Sequence, residues 1–236
     1  AFGVFVGPMS QSMGWSRTAL AWALTIRAAP NMLAGPVLGP IVDRRHGALI
    51  LMAFGGIVLG VGLILIAAVD HLWQFYLLFG VVSGIANMAV GPNLVTPTII
   101  AKWFIRRRGR ALALAAVGNN VGGLVLIPLA AFIILHFGWR EAWVVIGVLT
   151  ILSIVPLSAL FIRRMPEDVG LLPDGDAHKQ SADVSEVEVI QASLSTEYDW
   201  TLGEALRTPA LWLIIAAHTF GGVGFSGLPM HLIPAL

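Results

Sequence analysis

The chain has 236 residues, 57% of them apolar and 11% charged, with a net charge of +1 and no cysteine. Soluble domains carry about 25% charged and 45–50% apolar residues, so this composition excludes a water-soluble globular protein and marks an integral membrane protein. The absence of cysteine excludes a disulfide framework and a cysteine-ligated metal, and no cofactor is called for.

Residues 1–9 form an apolar stub too short to cross a bilayer. A polar turn is predicted over residues 10–17, with Trp15 suited to the interface. The first full span is the Thr18–Pro40 run, long enough to cross as a helix at about 1.5 Å per residue. The second runs from about Ala48 to Val69. The third, about Leu72 to Ala101, is interrupted by Asn87, Pro92, Asn93 and Pro97. The fourth and fifth cover about Ala111–Leu135 and Ala142–Ile162. A polar, acidic stretch from Arg163 to about Asp199 has too little apolar content for a folded domain and reads as a linker. Thr201-Leu202-Gly203-Glu204 has capping-box spacing and predicts a short surface helix before the last apolar run, about Ala210–Leu236. The stub and the abrupt stop read as a piece of a longer protein, with one partial and six full crossings.

The basic residues are distributed unevenly. Eleven of the fourteen lie in one set of loops, at 44–45, 102–110 and 163–207, while only Arg17 and Arg140 lie in the opposite set. Positive-inside bias assigns the first set to the cytoplasm. The Arg106–Arg110 cluster lies between two spans, a place that suits contact with lipid headgroups and disfavours nucleic acid, so no nucleic-acid partner is expected.

Arg27 is the fourteenth basic residue. It lies nine residues past Thr18, about 14 Å deeper and near the midplane, where an ionisable side chain marks a functional-site candidate. Every Asp and Glu falls in a loop or at a span end, so no acidic residue shares its depth. Three kinds of compensation stay open: backbone carbonyls and water in a cavity, a carboxylate on a helix outside this sequence, or an anionic substrate. Asn31 lies one turn on along the same face. A guanidinium suits carboxylate because its fork donates two parallel hydrogen bonds.

Ser83, Asn87, Gly91 and Thr98 form a weaker polar stripe on the third span. Asn119 and Asn120 interrupt the fourth, and His218 sits mid-depth in the last, where it could carry a proton. Each has a competing structural reading, as interhelical glue for the asparagines and as a neutral, hydrogen-bonded residue for the histidine. Four glycine pairs at four-residue spacing, Gly35/Gly39, Gly56/Gly60, Gly80/Gly84 and Gly118/Gly122, predict close helix approaches.

Gly39-Pro40-Ile41-Val42-Asp43-Arg44-Arg45 resembles the signature loop of the major facilitator superfamily. The Lys102–Ala111 block with Gly118, Gly122, Gly123 and Pro128 is similar to that superfamily's next cytoplasmic loop and following helix. Phe137–Glu141 resembles its outer turn, and Arg163–Leu171 the start of its central loop. Trp15-Ser16-Arg17 with the Lys102 and Gly138 blocks is similar to the monocarboxylate-transporter and oxalate/formate-antiporter branch. The resemblance implies an all-α membrane bundle of twelve helices in two halves. This chain would hold the end of helix 1 through helix 6 (1–164), the cytoplasmic central loop (165–208) and helix 7 (209–236). One departure stands out: the superfamily loop has glycine three residues after its aspartate, where this chain has His46, followed by Gly47.

The resemblance implies a secondary transporter of small organic anions in the plasma membrane, not an enzyme, working by alternating access with proton symport or anion exchange and completed by a C-terminal half. Arg27, Asn31, Asn87, Asn120 and His218 are its candidate substrate contacts. Gly39, Asp43, Arg44, Arg106, Arg107 and Arg108 are candidates for a cytoplasmic gate, with Asp43 pairing across to Arg106–Arg108. The competing expectation is a transporter of another solute class, such as a drug or metabolite exporter, in which Arg27 is structural. A membrane-embedded enzyme is disfavoured because the chain has no metal-ligand cluster, no nucleophile beside a base and no phosphate-cradling loop.

Overall fold

The computed structural model describes residues 2–31, 34–42, 44, 46–91, 94–163, 166, 170, 202–213 and 216–217. Among them all regular structure is helical. The elements are α1 (Gly3–Met13), α2 (Arg17–Asn31), α3 (Ala34–Val42), α4 (Gly47–Ile66) and α5 (Leu72–Phe75). Helix α5 passes through a π-helical segment, Tyr76–Val82, into α6 (Ser83–Val90), and then follow α7 (Val95–Trp103), α8 (Arg108–Phe137) and α9 (Trp139–Phe161). The chain divides into two compact units, Ala1–His178 and Lys179–Leu236; the second contains α10 (Leu202–Arg207), the short helix expected from the capping-box pattern.

Four stretches are long and apolar enough to cross a membrane: Gly47–Ile66, Leu72–Trp103, Arg108–Phe137 and Trp139–Phe161. They coincide with the second to fifth expected spans. The Thr18–Pro40 run is carried by α2 and α3, with 32 and 33 outside the described residues, as is most of the last apolar run. The expected turn over residues 10–17 is corrected, because α1 continues to Met13. The Ser10 hydroxyl donates to the Trp15 carbonyl (2.7 Å), folding the polar side chain back over the helix end at Gly14.

Close helix contact follows the small residues. A Cβ added at Gly60 of α4 would lie 2.7 Å from the Gly147 carbonyl oxygen of α9, and one at Gly147 would lie 2.6 Å from the Gly60 oxygen. A Cβ at Gly56 would meet Ile154 of α9 at 2.6 Å. Gly39, Gly118 and Gly122, by contrast, have nothing within 4 Å among the described residues. The last two face outward on α8, whose Leu114, Leu124 and Leu135 are also exposed, the surface a bilayer or another helix would cover.

The two ends of the first unit are tied differently. At one end Arg140 of α9 donates to the Ala67 carbonyl beyond α4 (2.6 Å) and to Asp70 (3.1 Å), with Met13 of α1 at 3.8 Å and the Trp139 ring beneath it at 4.7 Å. At the other, basic end, the Trp103 indole donates to the Arg163 carbonyl (3.0 Å), joining α7 to α9. Here too the chain turns from α3 to α4 through Arg44 N–H to Ile41 O (3.1 Å) and Gly47 N–H to Arg44 O (3.0 Å). A Cβ at Gly47 would run into the Ile41 carbonyl, so the longer loop still needs a glycine, one position later than the superfamily pattern has it.

Candidate functional site

Arg27 lies ten residues into α2, about 15 Å from the helix start. It is half-buried. Three features of the local sequence fix its surroundings. Pro30 has no N–H to give to the Ile26 carbonyl, which loosens the helix ladder beside Arg27. Gly80 and Gly84 let α2 come close: a Cβ at Gly84 would lie 2.9 Å from the Arg27 carbonyl oxygen, and one at Gly80 would lie 2.7 Å from the Ile26 side chain. The Tyr76 hydroxyl donates to the Ala19 carbonyl (2.9 Å) two turns earlier, keeping α2 and the π-helical segment in register.

The guanidinium lies over the Phe79 ring, 5.1 Å from its centroid. Phe79 is 1% exposed. It stacks on Phe2 (4.6 Å) and Phe75 (5.2 Å) and meets Trp143 edge-on (5.8 Å), while Phe5 stacks on Trp143 at 4.2 Å. The column draws on Phe2 and α1, on α5 and the π-helical segment, and on α9. The Trp143 indole N–H is buried without a hydrogen-bond partner among the described residues, so this indole serves the column by its ring face.

The other sequence candidates fall in separate places. Asn87 is half-buried on α6, one turn past Gly84 and so adjacent to the α2 contact; its carbonyl accepts from Gly91 N–H (2.7 Å) as α6 ends. Asn120 instead lines a groove of about 280 Å³ between α7 and α8 with Thr96, Pro97, Ile100, Leu112, Ala115 and Ala116. No residue of α2 or α6 lines that groove. Arg44, Arg106, Arg107 and Arg108 are exposed at the basic end. Asp43 and His218 lie outside the described residues, as does the Asn31 side chain. Among the described residues no cluster of His, Cys, Asp and Glu could hold a metal ion.

Sequence reasoning gave no role to Phe79 or Arg140. The signal for Phe79 is its place one residue before Gly80 in a glycine pair facing the arginine-bearing helix. For Arg140 it is a lone cation in the loop set that carries almost none.

Apolar helices of crossing length, glycine-mediated packing and a cation held within the helical layer define a polytopic membrane bundle. The chain belongs to the Major Facilitator Superfamily, whose family pattern matches residues 1–236. It is 34% identical over 171 residues to the MFS-type transporter pynF of Aspergillus niger, covering 71% of this chain and 38% of that protein. It is 33% identical over 141 residues to Monocarboxylate transporter 11 of Mus musculus (59% and 30%). It is 27% identical over 225 residues to the Oxalate:formate antiporter of Oxalobacter formigenes (95% and 48%). The chain thus spans less than half the length of each of these relatives.

Proposed function

We propose that the protein acts, with a second half supplying the rest of the cavity wall, as a secondary transporter of small organic anions. It would move them by alternating access, coupled to proton symport or anion exchange. The basic loops, including the 41–47 turn and 102–110, would face the cytoplasm of the plasma membrane. The observation that carries this reading is Arg27, a guanidinium near mid-depth on a helix held to its neighbour at that residue. Its planar fork matches a carboxylate, and desolvation strengthens such a pair. Similarity to proteins named monocarboxylate transporter and oxalate:formate antiporter supports the same substrate class. Asn87, one turn from the Gly84 contact, would add a neutral donor beside the cation; Asn31, Asn120 and His218 remain candidate contacts further along the path. The gate would be the Asp43 region with Arg44 and Arg106–Arg108, working on the turn that Gly47 closes.

Uptake of labelled carboxylates by the full-length protein tests this. Removing Arg27 takes away charge-assisted hydrogen bonds of about 1.5–3 kcal/mol. Arg27→Ala should therefore lower carboxylate uptake at low substrate concentration by at least about tenfold, and Arg27→Lys should restore part of it. The contact with Phe79 also suits a structural arginine, and this favours the second reading, a carrier of a different solute class. Intact transport in Arg27→Leu would decide for that reading.

A further inference from the structure

We infer that Phe79 is a positioning residue for the transported anion. Its ring holds the Arg27 guanidinium in the orientation that receives a carboxylate, and so sets affinity without touching the anion. This rests on the reading of Arg27 as the anion contact.

Four observations carry it. The guanidinium carbon is 5.1 Å from the Phe79 centroid, inside the range of about 6 Å over which a ring face attracts a cation. A ring face makes no demand on the N–H groups, which lie in the guanidinium plane, so cation–π contact and bidentate carboxylate binding use different parts of one side chain. The ring is itself immobilised by Phe2 and Phe75, which pack against it and stand 6.1 Å from each other, and by the edge-on contact with Trp143. Finally, Phe79 sits within the π-helical segment Tyr76–Val82, where the Ser83 hydroxyl donates to the Leu78 carbonyl five residues back (2.9 Å). Such a segment turns the following side chains relative to a regular α-helix and recurs at functional sites. Here it puts the ring under Arg27 while Gly80 meets the Ile26 side chain and Gly84 the Arg27 backbone of α2.

The test uses the purified full-length protein in proteoliposomes with labelled formate, oxalate and other one- to four-carbon carboxylates. Phe79 is replaced in turn by 4-fluoro-, 3,5-difluoro- and 3,4,5-trifluorophenylalanine, which drain charge from the ring face at nearly constant shape. The expected result is a KM that rises with each fluorine, by a total of about 2- to 30-fold, the range that a cation–π contact spans, with Vmax nearly unchanged. Phe79→Leu should raise KM at least as far if it folds; if it does not, the fluorinated series decides. A purely packing role predicts flat KM across that series and overturns the inference. Arg27→Ala separates the two levels. Lost uptake there with flat KM in the series sinks the positioning role alone. Unchanged uptake there, or no carboxylate carried by the natural sequence, sinks the anion reading and this inference with it.

Discussion

Arg140 shows how one side chain can gather several helix ends. It reaches the Ala67 carbonyl, Asp70, Met13 and the face of Trp139 from the first turn of α9. These bonds differ in strength. The Asp70 carboxylate is largely exposed, at 73%, and an ion pair in that setting contributes about 0–1 kcal/mol. The bond to the Ala67 carbonyl satisfies a helix-end acceptor with a charged donor and contributes about 1.5–3 kcal/mol. Thermal unfolding in detergent should therefore show a clear loss of midpoint temperature for Arg140→Ala and little change for Asp70→Asn. Equal losses would contradict this ranking. The sequence shows Arg140 only as a charge in a sparsely basic loop, because its partners lie 70 to 127 residues away and no local period encodes them. Arg27 was legible for the opposite reason: a charge inside an apolar run is visible without any knowledge of its neighbours.

At the level of elements, glycine spacing announced which residues could allow close approach but not which would. Gly56 and Gly60 press on α9 at Ile154 and Gly147, whereas Gly118 and Gly122 look outward with the same spacing. Spacing places small residues on one face; it does not say what that face meets. Substitution should separate the two cases in this 236-residue chain. Gly60→Ala pushes a methyl into the Gly147 carbonyl and should cost about 1–3 kcal/mol by overpacking. Gly118→Ala meets open space and should be neutral, or stabilising by up to about 1 kcal/mol through helix propensity. Denaturation of the two variants in the same detergent checks the sign as well as the size. The π-helical segment was not legible at all. Tyr76–Val82 reads as ordinary apolar span, and the wide turn goes with two tertiary contacts, Tyr76 to Ala19 and Gly80 to Ile26, and one local bond, the Ser83 hydroxyl to the Leu78 carbonyl.

For the whole molecule, the direction in which the bundle sits in the bilayer decides what the Arg44 and Arg106–Arg108 region can do. Helices α4 and α9 run in opposite senses from ends marked by different chemistry. One end carries the Arg140 cluster, and the other carries Arg44, Arg106–Arg108 and Arg163. Segments dense in Lys and Arg stay on the cytoplasmic side during insertion. A gate built there would respond to cytoplasmic substrate, and the Arg140 end would face outward. A chain without cysteine allows a direct test, because a single introduced thiol is the only one in these 236 residues. His71 is exposed beside Asp70, and Gly109 is exposed in the basic segment with nothing within 4 Å among the described residues. His71→Cys should react with a membrane-impermeant maleimide added to intact cells, while Gly109→Cys should react only after permeabilisation. The reverse pattern would put the basic loops outside and remove the proposed cytoplasmic gate. It would leave the Arg27–Phe79 contact untouched, since that pair lies within the helical layer and does not depend on which side is which.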